Sequence, residues 1–87
     1  MPMTAIRIDK LLFFLRIAKS RSLAHSWTYE GHIRVNGRRI EKGSAAVCIG
    51  DIVTLPQGEG VLTFKLLAMP LRRGPAIEAK ACYQLID

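Results

Sequence analysis

Apolar residues recur along this chain in two rhythms. Ile8, Leu11, Leu12 and Leu15 fall at i, i+3, i+4 and i+7, the spacing that gathers side chains on one face of an α-helix. With Asp9 as N-cap they predict a first helix from about residue 9 to residue 18. Lys19-Ser20-Arg21-Ser22 breaks the pattern. Ser20 is a suitable N-cap for a second helix over about 21–30, and Gly31 a suitable C′ residue to stop it. Leu23, Ala24 and Trp27 then face the first helix, which leaves Arg21, Ser22 and His25 together on the outer side.

The rhythm next changes to two. His32-Ile33-Arg34-Val35 alternates, Asn36-Gly37 follows, and Arg38-Arg39-Ile40 returns. Asn-Gly between alternating segments is a strong hairpin signal, because a type I′ turn needs positive φ at both central positions. Residues 42–46 form a polar loop, residues 47–49 a short apolar segment, and Gly50-Asp51 a turn. Residues 52–55 read as a strand, 56–60 as a turn-rich connection, and 61–68 as a longer strand ended by Pro70. After an Arg72-Arg73-Gly74 loop, the tail from Pro75 reads as a helix. Pro75 fits N1, and Ala79, Cys82, Tyr83 and Ile86 keep helical spacing; a short final strand is the alternative. Residues 1–5 read as a loose lead-in.

Eighty-seven residues make one domain, 1–87, with little room for a deep catalytic pocket. The formal net charge is +6, and its placement matters more than its size. Residues 1–42 hold nine Lys and Arg against three Asp and Glu, whereas residues 43–87 hold four of each. A one-sided positive field is the footprint of a polyanion binder. The two cysteines, Cys48 and Cys82, belong to no close-spaced cluster, which fits reduced thiols in a cytoplasmic protein. The apolar run from Leu11 is broken by Arg16, too soon for a signal peptide or a membrane span.

Candidate chemistry follows from that charge. Arg7, Lys10, Arg16, Lys19 and Arg21, joined by Arg34, Arg38 and Arg39 of the hairpin, suit phosphate contacts, and the arginine fork matches phosphate geometry. Folded, they are expected to converge on a single ridge. About five engaged phosphates would give a log–log salt slope of roughly −4. Asp9 is read as a cap or as a clamp on Arg21 or another basic side chain. Asn36 and Gly37 serve turn geometry first and can also offer hydrogen bonds to RNA. His25 and His32 can add a pH-sensitive contact. Phe13, on the side that carries Lys10, is either buried under the C-terminal segment or presented to a base for stacking. Trp27 and Cys82 are read as packing residues. There is no CxxC, HExxH, G-x-S-x-G, P-loop or dinucleotide-binding glycine pattern, so no metal, cofactor or small-molecule substrate is expected and no catalysis.

Four separated stretches carry a resemblance: Arg7-Ile8-Asp9-Lys10-Leu11, Ser20-Arg21-Ser22-Leu23-Ala24, Gly31-His32-Ile33-Arg34-Val35-Asn36-Gly37 and Gly50-Asp51. In order and spacing, over about residues 6–55, they resemble the S-four RNA-binding domain, also called the alpha-L motif. The resemblance implies an α+β fold, two packed helices against a small, mostly antiparallel β-sheet, with residues 56–87 adding a strand and a short helical tail. The layout is similar to the stand-alone members of the heat-shock-protein-fifteen type. Those associate with the large ribosomal subunit and with stalled subunits that hold peptidyl-tRNA. By resemblance the RNA surface falls on Arg7, Lys10, Ser20, Arg21, Ser22, Arg34, Asn36 and Arg38. Trp27-Thr28-Tyr29 stands where an aliphatic residue followed by polar ones is usual, and the basic C-terminal extension of the longer relatives is not in this sequence.

The expectation is a monomeric, non-catalytic protein docking on structured ribosomal RNA or tRNA through Arg7, Lys10, Arg16, Lys19, Ser20, Arg21, Ser22, His25, Arg34, Asn36, Gly37, Arg38 and Arg39. The rival readings are a protein-interaction module for a ribosomal or RNA-modifying partner, and an enzyme subunit whose catalysis lies on another chain.

Overall fold

The computed structural model describes residues 5–86. Most of the expected lead-in, residues 1–4, lies outside that range. In chain order the elements are β1 (Ala5–Arg7), α1 (Ile8–Phe14), α2 (Arg21–Tyr29), β2 (Ile33–Val35), β3 (Arg38–Ile40), β4 (Ala46–Cys48), β5 (Ile52–Gln57), β6 (Gly60–Leu66), α3 (Ala76–Lys80) and β7 (Tyr83–Leu85). This is the expected α+β architecture. One sheet has the order β3-β2-β5-β6-β7 with antiparallel pairing throughout, and β1 pairs with β4 in a second, two-stranded sheet.

The core lies between α1, α2 and the inner face of the larger sheet. Ile8, Leu11 and Leu12 are wholly buried, as are Ile33, Val53, Phe64 and Leu66. Each such side chain contributes about 1.5–3 kcal/mol relative to exposure. On α2 the buried positions are Ala24 and Thr28, with Trp27 packed beside them. Leu23 was expected to face α1 but lies at the edge, 38% exposed.

Both helices end in the same way, from different residues. At the end of α2 the Gly31 N–H donates to Thr28 O and the His32 N–H to Trp27 O. This is a Schellman motif with Gly31 at φ +77, and glycine adopts that left-handed conformation at no steric cost. At the end of α1 the Arg16 N–H donates to Phe13 O and the Ile17 N–H to Leu12 O. The left-handed residue is Arg16, at φ +63. The first helix therefore stops four residues before the expected end at Ala18, which is buried in the core by the turn instead. Asp9 is not its N-cap: Arg7 is, and Asp9 sits in the first turn.

Two further corrections concern the second half. Residues 56–60 are mostly strand. Pro56 pairs with Val61 and Gln57 with Gly60, so the turn is only Gly58-Glu59. Proline is tolerated there because β2 pairs with β5 only up to Thr54, leaving that side of Pro56 free. The expected C-terminal helix is cut short at Lys80. Pro75 is its N-cap rather than N1, and Tyr83–Leu85 pairs with β6 as an edge strand. Tyr83 meets Phe64 edge-on at 5.2 Å between ring centroids, an apolar contact that a continued helix would forgo.

Candidate nucleic-acid interface

The site is built around a buried carboxylate. The Asp9 side chain is 5% exposed, while those of Arg7 and Arg21 are about half exposed. Arg7 donates from Nε to Asp9 Oδ1 at 3.2 Å and from Nη2 to Oδ2 at 3.0 Å, the two-pronged geometry that favours arginine over lysine. The Lys10 N–H donates to Oδ1 at 2.6 Å. Arg21 Nη2 stands 3.6 Å from Oδ1 and His25 Nδ1 3.8 Å from Oδ2. The clamp reading of Asp9 holds, and Arg7 joins Arg21 in it. One buried negative charge thus orients two arginines without neutralising them, and their free edges face solvent.

The backbone around this cluster is close. The Ile8 and Asp9 N–H groups donate to Ala45 O and Gly43 O. A Cβ on Gly43 would stand 2.6 Å from His25 Nδ1 and 2.8 Å from Asp9 Oδ2. Any larger residue there would push the exposed His25 ring aside and press on the buried Asp9 carboxylate. The sequence signal of Gly43 is weak, one glycine in a polar loop, and it was not among the expected site residues. Ser20 caps α2, accepting from the Leu23 N–H at 3.1 Å. Ser22 is exposed beside Arg21, and the first turn of α2 carries no acidic residue.

The hairpin divides its arginines. Asn36 (φ +54) and Gly37 (φ +79) form the turn. The register sets Ile33 opposite Ile40, Arg34 opposite Arg39 and Val35 opposite Arg38. Ile33 is buried, so Arg38 shares the inward face and Arg34 and Arg39 the outward one. Arg38 lines a depression with Val35, Asn36, Ile40, Ala46 and Asp51. Ala46 is the cross-strand partner of Arg7, so this depression borders the Asp9 cluster. Arg38 therefore lies on the side of the hairpin toward β4 and Arg7, and Arg34 and Arg39 project from the other. The expected single ridge is split in two. The Asn36 amide is occupied within the fold. Its Nδ2 donates to Asp51 Oδ1 at 3.1 Å, and its Oδ1 accepts from the Ile52 N–H at 2.9 Å.

The remaining cations separate further. Arg16 Nη1 donates to Gly74 O at 2.8 Å, so it ties down the C-terminal loop. Beside it Arg73, which sequence reading left in a loop, lies over the Phe13 ring at 4.7 Å and donates from Nε to Phe13 O at 3.1 Å. One face of Phe13 is thus covered by Arg73 of the C-terminal segment, and the ring is half-buried rather than buried. Lys10 Nζ lies 5.3 Å from the Phe14 ring centroid, and Lys19 is exposed in the turn between the helices. Among the described residues no group of His, Cys, Asp and Glu could hold a metal ion, and no helix is long and apolar enough to cross a membrane. Burial, with help from Glu78, pushes the Cys82 thiol above its ordinary pKa.

An α+β fold that holds half-exposed arginines on a buried carboxylate beside a basic hairpin is of the class of small domains suited to a polyanion. Comparison with known proteins narrows it. Residues 6–53 match the family model described as S4 domain. The chain is 35% identical over 83 residues to Heat shock protein 15 of Escherichia coli (strain K12), covering 95% of this chain and 62% of that protein. It is 36% identical over 70 residues to the small ribosomal subunit protein uS4 of Gloeobacter violaceus, covering 79% of this chain and 34% of that one. The trimeric structure of Vibrio cholerae Heat Shock Protein 15 superposes with a TM-score of 0.88 at 35% identity, covering 94% of this chain and 82% of that chain. This chain belongs to the S4 domain family. It spans less than two thirds of the length of the E. coli relative.

Proposed function

We propose that this protein is a non-catalytic, cytoplasmic RNA-binding protein that docks on structured ribosomal RNA or tRNA, with the large ribosomal subunit as its seat during stalled translation or heat stress. The observation that carries the reading is the Asp9 clamp. A carboxylate 5% exposed fixes two half-exposed guanidinium groups side by side, and Arg38 continues the surface through Ala46. Such groups read the shape and phosphates of a folded RNA with few base contacts. The likeness to the small ribosomal subunit protein uS4 supports a ribosomal partner, and that to Heat shock protein 15 supports the link to heat stress.

The reading is tested by gradient sedimentation of a tagged copy from heat-shocked cells. Co-migration with the large subunit, lost on ribonuclease treatment, is the expected result. Migration only at the top of the gradient, with and without heat shock, contradicts it. The protein-interaction reading draws on Leu71 and Ile77, which are 90% and 83% exposed near the C-terminus. A partner retained after ribonuclease treatment would favour it. The monomer expectation is tested by sedimentation equilibrium, where a concentration-dependent mass would overturn it.

A further inference from the structure

The β2–β3 hairpin carries arginine on both faces, and we propose that its outer face, formed by Arg34 and Arg39 with Lys65 beyond them, binds a second phosphate-bearing segment of RNA. The hairpin then lies between two RNA segments rather than along one. This rests on the RNA-binding reading above and deepens it.

Arg34 and Arg39 are direct cross-strand partners on the outward face of the hairpin, and the Arg39 guanidinium leans against Gly31 at the end of α2. Like charges placed opposite one another destabilise a strand pair. Here the offset falls on Arg39 alone, whose guanidinium rests at the C-terminal end of α2 beside Gly31. Arg39 Nη2 is 3.7 Å from Glu41 Oε2, an ion pair with both side chains well exposed, and Arg34 reaches only its own turn, Gly37 O, at 3.4 Å. An anion held between the two guanidinium groups removes the repulsion and uses the fork of each.

The rest of the face suits a sugar–phosphate chain. The ladder runs from Arg39 to Arg34, then to Thr54 and Thr63, and the neighbouring row sets Lys65 between Ile52 and Gln84. Hydroxyl and amide groups at those positions can meet phosphate and ribose 2′-OH. Arg38, on the other side of the same hairpin, belongs to the Arg7–Arg21 surface. One phosphate chain cannot follow both.

The test uses a ten-base-pair RNA hairpin titrated into the full chain at low salt, with stoichiometry read by calorimetry. The wild type is expected to take up two hairpins per protein, and R34Q/R39Q and R7Q/R21Q one each. With a folded tRNA, R34Q/R39Q should make the log–log salt slope shallower by roughly 1.5–2, and R34K/R39K should restore it. A melting curve confirms that R34Q/R39Q folds, since both side chains are exposed. One hairpin per wild-type protein, or an R34Q/R39Q variant that still takes two with an unchanged slope, overturns the proposal. If instead R7Q/R21Q changes nothing, the Asp9-centred surface fails, and the R34Q/R39Q result still decides the outer face.

Discussion

Arg7 lays both prongs of its guanidinium on Asp9, at 3.2 and 3.0 Å, from a side chain half in water to one almost wholly out of it. The pair is asymmetric in a useful way. The acid is inside, where it can position its partners, and the base keeps an open edge for a ligand. Asp9→Asn separates positioning from net charge. It raises the charge of the protein by one, so RNA binding should tighten if charge alone matters. The structure predicts weaker binding and a stability loss of about 2–3 kcal/mol, since bonds to a charged group are removed from a buried site. Urea unfolding and filter binding on the same variant check both.

Gly43 sets the shape of the same cluster. Gly43→Ala should force His25 and Asp9 apart, because the new methyl would stand under 3 Å from both. The expected stability loss is about 1–3 kcal/mol, with RNA affinity falling as well. Gly58→Ala serves as a control. That glycine has nothing within 4 Å, so its variant should lose some stability through φ +59 and keep its RNA affinity.

Asn36 should prove structural. Asn36→Ala removes the bridge to Asp51 and Ile52 and leaves a non-glycine residue at φ +54, a conformation that asparagine tolerates better than alanine. The expected cost is about 1–2 kcal/mol, read by thermal unfolding. The salt slope of RNA binding should stay the same, because no phosphate contact is lost.

Cys82 gives a pH-dependent signature. Its raised pKa arises first from burial and then from Glu78. The unfolded chain therefore loses the thiol proton at lower pH than the folded one. The contribution to stability is full below the ordinary thiol pKa and is lost as pH rises through the raised value. In a Cys48→Ser background, the alkylation profile of the native protein should lie at higher pH than that of the urea-unfolded protein. Coincident profiles would contradict the assigned environment.

Local chemistry made much of this fold legible. Ser20, Gly31 and Asn36-Gly37 each state a backbone conformation, and the structure places all of them as read. The end of α1 was hidden because Arg16, not glycine, takes the left-handed position. The β5–β6 turn was misplaced because Pro56 marks a break only where a strand has neighbours on both sides. The tail divides between helix and strand through a distant contact of Tyr83 with Phe64, and local periodicity carries no trace of it. The charge asymmetry between the halves pointed to the N-terminal half, where the Asp9 cluster and the basic hairpin lie. The split of the hairpin arginines was available from the two-residue turn, which fixes Arg34 opposite Arg39, but counting charges without following the register merged two faces into one.

The central claim is that Arg21 and Arg38 belong to one phosphate-reading surface organised by Asp9. Arg21→Glu/Arg38→Glu reverses both ends of it; because Arg21 pairs with the buried Asp9 carboxylate, the reversal also costs some stability. Binding of a folded tRNA or ribosomal RNA fragment, titrated from low to physiological salt, is the direct measurement. For the wild type we expect a log–log slope near −4, as for about five phosphate contacts. For the double variant we expect a large fall in affinity, leaving at most the binding of the outer hairpin face, in a protein that melts somewhat lower but still cooperatively. Unchanged affinity in the double variant, or a wild-type midpoint indifferent to salt, would contradict the account.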